Sequence, residues 1–494
     1  MKKVISIITV FFTVGIVGCK KTYLDQEVNP NQPSVTTPQY SLSGALATSA
    51  AIVTNDYNEF GVWAGYWCNS GAFVPNPQLA EFAFSISTYP GPDVWDDLYP
   101  NLTNFNNLQT ASAASPSLAY FQAIAMIMKA YDFEQLVDNF NDVPYSQAFQ
   151  PSTILFPAYD SGQSVYNDLV KQLDAAIALI GKSSGAINPG TSDIVYGGNM
   201  GNWQKFANTI KLRLAIRQSN LSTNAAESDL ASTSSIGYID ASTEADCNPG
   251  YANVAGKENP FYVAYGFDQN GNPGFGGVYY RANAVAANMM ANLNDPRLTQ
   301  FYTTVAGAPG TGVVPLQLGA YKTNAQVSSG IGPGLLQGPT QNAVLFSSYE
   351  SLFLQAEAAA RGWISGNPAV FYNEAISASF AAVGAPAGSD VTYEAQSSVA
   401  FPTEEATLDQ QVQAIIDQKY LSLNGLFNFE AYNEFRRTGY PVLPQNPASA
   451  DPAALSPTLP TRLPYPINEL NTNSVNLNNE GTINVFTSKI FWAK

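Results

Sequence analysis

The sequence predicts a mostly α-helical protein built on four tetratricopeptide-like helix hairpins with long irregular loops. Three observations lead to this prediction. Apolar residues recur at three- and four-residue spacing over long stretches, which is the period of an amphipathic helix. These stretches come in neighbouring pairs, as the helices of antiparallel hairpins do. A polar, glycine-rich stretch over about 222–339 separates the second pair from the third, and a loop region of that length is more often functional than random.

Residues 1–18 have the layout of a secretory signal peptide that is removed from the mature chain. Two lysines precede an apolar run that is too short for a membrane-spanning helix, which needs roughly twenty residues. Residues 16–19 resemble the bacterial lipobox, although an ordinary signal followed by an unrelated cysteine is an alternative. Cys19 is therefore the predicted lipidation site. Residues 19–36 lack apolar periodicity and are the predicted flexible tether to a membrane.

The remaining residues, 37–494, are predicted to form a single helical domain. Gly425 is a predicted helix stop and Pro368 a predicted helix start. One further helix is expected within the loop-rich region, over 282–293. The strict tetratricopeptide consensus is absent, so the name describes architecture only. The predicted hairpins pair 93–114 with 117–140, 161–180 with 202–218, 348–363 with 368–382, and 404–424 with 428–437.

Composition excludes several classes of function. The formal net charge of −16 repels nucleic acid phosphates, so we expect no DNA or RNA partner and favour an uncharged ligand. The chain has no histidine, which removes Ser-His-Asp and Cys-His catalysis and every histidine-containing zinc site. Besides Cys19 only Cys68 and Cys247 remain, and two buried free thiols are favoured over a disulfide between them.

Two segments are candidates for binding a neutral ligand, because aromatic faces suit the C–H surfaces of sugars and amides suit their hydroxyl groups. The first spans 57–73 and the second 261–281. In the first, the spacing of the aromatic residues is equally compatible with one buried face of a helix. The candidate residues are Trp63, Tyr66, Trp67, Asn69 and Phe73 in the first segment, and Tyr265, Phe275, Tyr279 and Tyr280 in the second.

No cofactor or metal site is predicted with any weight. Asp268-Gln269-Asn270-Gly271-Asn272 alternates oxygen-bearing side chains as calcium loops do, but Pro273 stands where an EF-hand needs glycine. A plain turn is the favoured interpretation, with a structural calcium ion as a weak alternative.

The charged residues of the helical motifs are predicted to be structural. Lys211, Arg213 and Arg217 lie on a helix whose other face is apolar, so they are expected to pair with acidic neighbours. Arg436 and Arg437 come near a helix end, where cations complement the helix dipole, and Gly439 follows as a predicted left-handed cap.

Six motifs occur together in a specific order. They lie at 142–145, 203–217, 295–297, 349–358 with 362–363, Glu434-Phe435-Arg436-Arg437-Thr438-Gly439-Tyr440-Pro441, and Arg462-Leu463-Pro464-Tyr465-Pro466. In this order and spacing the chain resembles, over essentially its whole length, the SusD-like (SusD/RagB) outer-membrane lipoproteins of Bacteroidetes.

The resemblance implies four tetratricopeptide-like pairs and a ligand-binding face assembled from loops. It implies a lid on a SusC-like TonB-dependent transporter that captures oligosaccharide or peptide without catalysis. It also implies an outer-membrane lipoprotein that faces outward. Surface-exposed members often carry acidic residues directly after the lipidated cysteine, whereas here Lys20 and Lys21 come first.

Oligosaccharide capture is the favoured function, and three alternatives stay open. Peptide capture would favour charged or backbone-pairing contacts over aromatic platforms. An exported glycosidase could work with two carboxylates and no histidine. A purely structural surface protein would have no saturable ligand.

Overall fold

The structure is a computed structural model that describes residues 36–55, 58–70, 94–150, 152–317, 327–403, 405–443 and 459–494. Cys19 and all but the last residue of the predicted tether lie outside these ranges. Among the helices within them, none is both long enough and apolar enough to cross a membrane.

The helices of the first half confirm the first two predicted hairpins. Helices α3 and α4 form one hairpin, α5 and α6 form the next, and α4 packs on α5 so that the two hairpins stack. Helix α1 covers α3. The bounds are α1 Pro38–Asn55, α2 Asn58–Trp63, α3 Val94–Ala113, α4 Ala119–Phe140, α5 Gly162–Lys182, α6 Met200–Arg217 and α7 Ala225–Asp229.

The second half confirms the other two hairpins. Helix α12 packs on α13, α15 on α16, and α12 contacts both α15 and α6, which joins the two halves. The expected helix in the loop-rich region is present as α10. The bounds are α8 Pro260–Tyr265, α9 Phe275–Tyr279, α10 Ala284–Asn292, α11 Leu298–Phe301, α12 Ser348–Ala360, α13 Pro368–Ala382, α14 Ser389–Glu394, α15 Leu408–Leu423, α16 Asn428–Thr438, α17 Ile467–Thr472 and α18 Ser474–Leu477.

Local sequence signals explain where several of these helices begin and end. Asn367 caps the start of α13 and Pro368 occupies its first turn, as predicted. A capping box between Thr407 and Gln410 starts α15. Gly439 ends α16 with a φ of 82°, a left-handed conformation that glycine adopts at low cost, which confirms its predicted role.

The predicted ion pairs of α6 are present; those of Arg213 and Arg217 are buried, whereas Lys211 pairs with the partly exposed Asp174 and Asp229. Arg213 donates to both carboxylate oxygens of Glu134 on α4, at 2.9 and 2.6 Å. Its Nη1 lies 3.1 Å from Glu350 Oε1 on α12. Arg217 Nη2 lies 2.5 Å from Glu430 Oε2 on α16. These pairs tie all four hairpins to one central helix.

The pairing continues at the C-terminal end of α16. Arg437 is completely buried, and its Nη2 lies 2.6 Å from Glu357 Oε2 and 2.5 Å from Glu434 Oε2. Lys419 on α15 lies 2.6 Å from Glu434 Oε1. The prediction that Arg437 serves the helix dipole is therefore incomplete, because its guanidinium joins two helices.

Within the described residues, four short strands accompany the loops. Strand β1, Trp67–Asn69, pairs antiparallel with β3, Tyr280–Ala282, and β2, Ala245–Cys247, pairs antiparallel with β4, Ala343–Phe346. Cys68 and Cys247 lie on strands of different sheets, and both are buried free thiols, as predicted.

Candidate ligand-binding face in the loop-rich region

The two candidate segments meet at the β1–β3 ladder. Trp67 pairs with Ala282, and Asn69 pairs with Tyr280. Asn283 Nδ2 adds a hydrogen bond of 3.1 Å to the Trp67 carbonyl oxygen. Segments that are far apart in the sequence therefore form one structural unit.

Four of the five candidate residues of the first segment are buried, which does not agree with their interpretation as an exposed binding platform. The side chains of Trp63, Tyr66, Trp67 and Asn69 are all buried. The Tyr66 ring stacks on Tyr420 at 4.7 Å. Phe73 lies outside the described residues. The rings of Trp63, Tyr66 and Trp67 are buried, but they do not form one face of a helix, because α2 ends at Trp63 and Trp67 lies on β1.

Trp67 connects the core to the second segment. Its ring lies 5.1 Å from the ring of Tyr265 and 5.6 Å from that of Tyr280. The side chains of Tyr265, Tyr279 and Tyr280 are buried as well, so these three candidates form a floor and do not themselves present a face to a ligand.

Three glycines allow α9 to lie directly against α8. A Cβ atom on Gly274 would come within 2.1 Å of the Val263 carbonyl oxygen. A Cβ on Gly276 would meet the Tyr265 ring at 2.5 Å, and one on Gly277 would meet the Tyr265 carbonyl oxygen at 2.3 Å. Only glycine fits at these positions without displacing the neighbouring chain.

Phe275 is turned outward by this packing. Its neighbours on both sides are pressed against α8, and its own side chain is 68% exposed. Its ring stacks on the Tyr279 ring with centroids 5.2 Å apart. A large exposed apolar side chain on a fixed support is an informative feature, because most such rings are buried.

Two further apolar side chains are exposed beside Phe275. Val278 is one helical turn further along α9, and Phe267 precedes a turn that returns the chain to Gly274, whose N–H donates to the Gly266 carbonyl at 2.8 Å. We call Phe267, Phe275 and Val278 the aromatic edge. Phe267 and Val278 lie within the predicted second segment, but the sequence analysis did not name them as candidate residues, although the neighbouring glycines indicated a close approach of the chain.

The polar turn beside the aromatic edge is held by its own hydrogen bonds. Asp268 Oδ1 accepts from the N–H groups of Asn270 and Asn272 at 2.8 and 2.9 Å, and Oδ2 accepts from Asn272 Nδ2 at 2.9 Å. These bonds lower the pKa of Asp268, and the bond from the Asn272 side chain has the largest effect. The segment is thus a turn, and Gln269, Asn270 and Asn272 expose neutral amides.

Arg281 fixes the junction between α9 and β3. Its Nη1 donates to the carbonyl oxygens of Gly277 and Tyr280 at 2.9 and 2.6 Å. Burial lowers the pKa of its guanidinium. Within the described ranges, no group of three or more Cys, Asp or Glu side chains is arranged to hold a metal ion. Aromatic surface and neutral amides are therefore the chemistry that this face offers.

Comparison with known proteins identifies relatives over nearly the full chain. The SusD-like family described as "Starch-binding associating with outer membrane" matches residues 30–466. No curated protein matches the sequence.

Solved structures share the fold. A SusD homolog from Bacteroides uniformis is 25% identical with a TM-score of 0.74, covering 92% of this chain and 99% of its own. A chitin-binding protein is 25% identical with a TM-score of 0.73, over 92% and 100% of the two chains. A chitin-binding SusD homolog from Flavobacterium johnsoniae is 22% identical with a TM-score of 0.75, over 91% and 98% of the two chains, and its likeness concerns the fold alone.

Proposed function

Because the chain belongs to the SusD-like family of outer-membrane carbohydrate-binding proteins, we propose that it captures neutral oligosaccharide at the aromatic edge. It delivers this ligand to a SusC-like TonB-dependent transporter and performs no catalysis. Lipid on Cys19 holds it at the outer membrane, facing outward.

The exposed ring of Phe275 is the observation that carries the ligand class. The ring stacks on Tyr279 and the residue is mostly exposed, so its exposed ring surface suits contact with the C–H surface of a sugar ring. Asn270 and Asn272 in the adjoining turn are exposed, and their neutral amides can donate hydrogen bonds to sugar hydroxyl groups and accept them. The aromatic edge consists of apolar side chains, so it offers no charged group to pair with a charged ligand.

A binding measurement with two glycans tests this assignment. Two of the similar structures are of chitin-binding proteins, and the family is described as starch-binding. Chitooligosaccharide and maltooligosaccharide are therefore the first probes. We expect saturable binding of at least one, and Phe275→Ala should weaken it about 10-fold, which corresponds to about 1.4 kcal/mol.

Phe156→Ala is the matched control. Phe156 is 59% exposed on a different loop, so its removal takes away a similar exposed ring without touching the aromatic edge. Equal affinity in the wild type and Phe275→Ala would contradict the proposed site. Release of shortened sugars by the purified protein would contradict the absence of catalysis.

The partner and the location need separate measurements. A tagged copy should recover a large outer-membrane barrel protein in mild detergent, and recovery of the chain alone would oppose the proposed delivery. Labelling of the protein on intact cells tests outward exposure, and loss of membrane association in Cys19→Ser tests the lipid anchor.

A further inference from the structure

A polar cavity lies between the first two hairpins, and none of its lining residues belongs to the aromatic edge. It has a volume of about 290 Å³ and is enclosed by α3, α4, α5 and the loop that follows α4. We call it the Lys129 pocket, and the residues that matter for its chemistry are Asn106, Gln109, Lys129, Tyr145, Phe149 and Gln172.

Lys129 is a largely buried cation with neutral partners. Its Nζ donates to Asn106 Oδ1 at 2.8 Å and to Gln109 Oε1 at 3.0 Å. It also lies 5.5 Å from the centroid of the Phe149 ring. In the part of the chain that the structure describes, no carboxylate lies within 4 Å of it.

Three buried arginines of the hairpins differ from Lys129 in this respect, whereas Arg436 on α16 resembles it, because its guanidinium also donates to neutral oxygens. Arg213, Arg217 and Arg437 each lie against two or more carboxylates. Burying a charge without an opposite charge is costly, so buried cations are normally paired. Burial alone lowers the pKa of Lys129 to about 8. An anion entering the pocket would supply the missing partner.

The loop over the pocket is held in an unfavourable conformation. Phe149 has a φ of 62°, in the left-handed region that bulky side chains rarely adopt. Such a conformation costs on the order of 1–3 kcal/mol and concentrates at functional sites. It brings the Phe149 ring to 6.1 Å from Phe133 and over Lys129, where the ring closes one side of the cavity.

The two amides beside Lys129 accept hydrogen bonds from its ammonium group. Because Asn106 and Gln109 turn their amide oxygens to the ammonium group, their N–H₂ groups face away from it. The third ammonium proton has no partner in the described structure. Aromatic side chains of Phe133, Tyr145 and Phe149 complete the walls. The pocket therefore combines one positive charge with neutral amides and aromatic ring surface.

We propose that the Lys129 pocket binds an acidic monosaccharide unit, with the carboxylate of a uronic acid on Lys129. A single cation suits a monoanion better than a phosphate dianion. The aromatic walls suit the body of a pyranose ring. The volume lies near the lower end of small-ligand sites, at roughly 300 Å³, which fits one sugar unit.

Asp132, Asp168 and Asp160 are among the acidic groups on the surrounding elements, and each accepts hydrogen bonds. Asp132, one turn along α4, accepts from Asn101 Nδ2 at 3.3 Å. Asp168 on α5 accepts from the Tyr145 hydroxyl at 2.6 Å and from Gln172 Nε2 at 3.3 Å. Asp160 accepts from the N–H groups of Tyr145 and Ser146 at 3.1 and 2.8 Å.

The titration of Lys129 sets the expected pH dependence. Its positive charge is lost as the pH rises through about 8, whereas a uronate carboxylate stays charged. Affinity for the acid should therefore be lower at pH 9 than at pH 6.5.

Calorimetric titration of the mature chain with glucuronate and with glucose tests the proposal. We expect saturable binding of glucuronate at pH 6.5, at least 10-fold tighter than that of glucose. Lys129→Met removes the charge and keeps the length of the side chain, and should weaken glucuronate binding at least 10-fold. Lys205→Met is the control, because Lys205 forms an exposed pair with Asp240 and lies on another helix.

Gln109→Glu provides a second, isosteric variant in case Lys129→Met does not fold. It places a carboxylate at the position of an atom already 3.0 Å from Lys129 Nζ, so an internal anion should replace the ligand and abolish glucuronate binding. Undiminished binding in either folded variant would overturn the proposal. Equal affinity for glucose, or no saturable binding, would do the same. If inorganic phosphate bound as tightly as glucuronate, the sugar ring would not contribute to recognition, and the proposal of a sugar site would be overturned.

Discussion

In the helical hairpins, buried ion pairs between long charged side chains join helices to one another, whereas at the contact of α8 and α9 in the loop-rich region an aromatic ring packs directly against glycine. Arg437 illustrates the first case, with two carboxylates around one guanidinium. Gly276 illustrates the second, with the Tyr265 ring where a Cβ would be. The first arrangement is sensitive to lost charge, and the second is sensitive to added volume.

The largest effect is expected from removing a buried cation. Arg437→Ala leaves Glu357 and Glu434 buried without their shared partner, and breaking a buried pair in this way costs about 3–5 kcal/mol. Urea denaturation should show this loss of unfolding free energy. Lys205→Ala is the matched control, and its exposed pair should contribute no more than about 1 kcal/mol. Similar losses in both variants would mean that burial does not matter here.

Adding one methyl group should disturb the loop-rich region less. Gly276→Ala introduces a Cβ at 2.5 Å from the Tyr265 ring, and overpacking of this kind costs about 1–3 kcal/mol. Thermal unfolding should show a lower melting temperature. Gly185→Ala, where nothing lies within 4 Å, serves as the control and should leave the melting temperature nearly unchanged. A stable Gly276→Ala protein would show that α8 and α9 can separate.

A carboxylate without a cation should make the stability of the loop-rich region depend on pH. Burial, together with Asp246, raises the pKa of Glu244 to about 7. The folded state therefore holds this proton more tightly than the unfolded state, and stability falls as the pH rises from about 4.5 to about 7.

Between pH 5 and pH 8, Glu244 should lower the free energy of unfolding of the wild type by about 1–3 kcal/mol. Glu244→Gln should abolish this decrease. Denaturation curves at both pH values measure it. Glu405→Gln, at an exposed glutamate, should retain the pH dependence of the wild type. In the helical hairpins, Arg217 and Arg213 outweigh burial and lower the pKa of Glu430 to about 2, so no such fall is expected from that residue.

The smallest effect on stability is expected at Phe275. Its side chain is mostly exposed, so Phe275→Ala should change the free energy of unfolding by less than about 0.5 kcal/mol. Trp67→Ala, a buried ring of the same face, should cost about 3–5 kcal/mol. A large loss of stability in Phe275→Ala would place this residue in the core with Trp67.

The hairpins were predictable because their signals are local. Apolar spacing, Pro368 and Gly439 lie within or beside the helices they define. The ion pairs of α6 were foreseen as pairs, but their partners could not be named. Glu134, Glu350 and Glu430 come from three other helices, and only tertiary packing brings them to Arg213.

The candidate site was predictable only in part. Phe275 was identified, but the aromatic content of the first segment did not distinguish a core from a surface. Trp63, Tyr66 and Trp67 find buried ring partners on distant helices, and no local signal reports those partners. The glycines beside Phe275 did carry local information. Because glycine has no Cβ, α9 can approach α8 closely at these positions, and the Phe275 ring between them points outward.

The β1–β3 ladder also bears on the order in which the molecule assembles. Its strands join residues more than two hundred positions apart, with Asn283 and Trp67 separated by 216. Closing such a loop costs more chain entropy than closing a helix hairpin, so the local contacts form on a faster timescale. A chain whose hairpins are complete has therefore not yet built its ligand-binding face, and Trp67 fluorescence in refolding would report the later step.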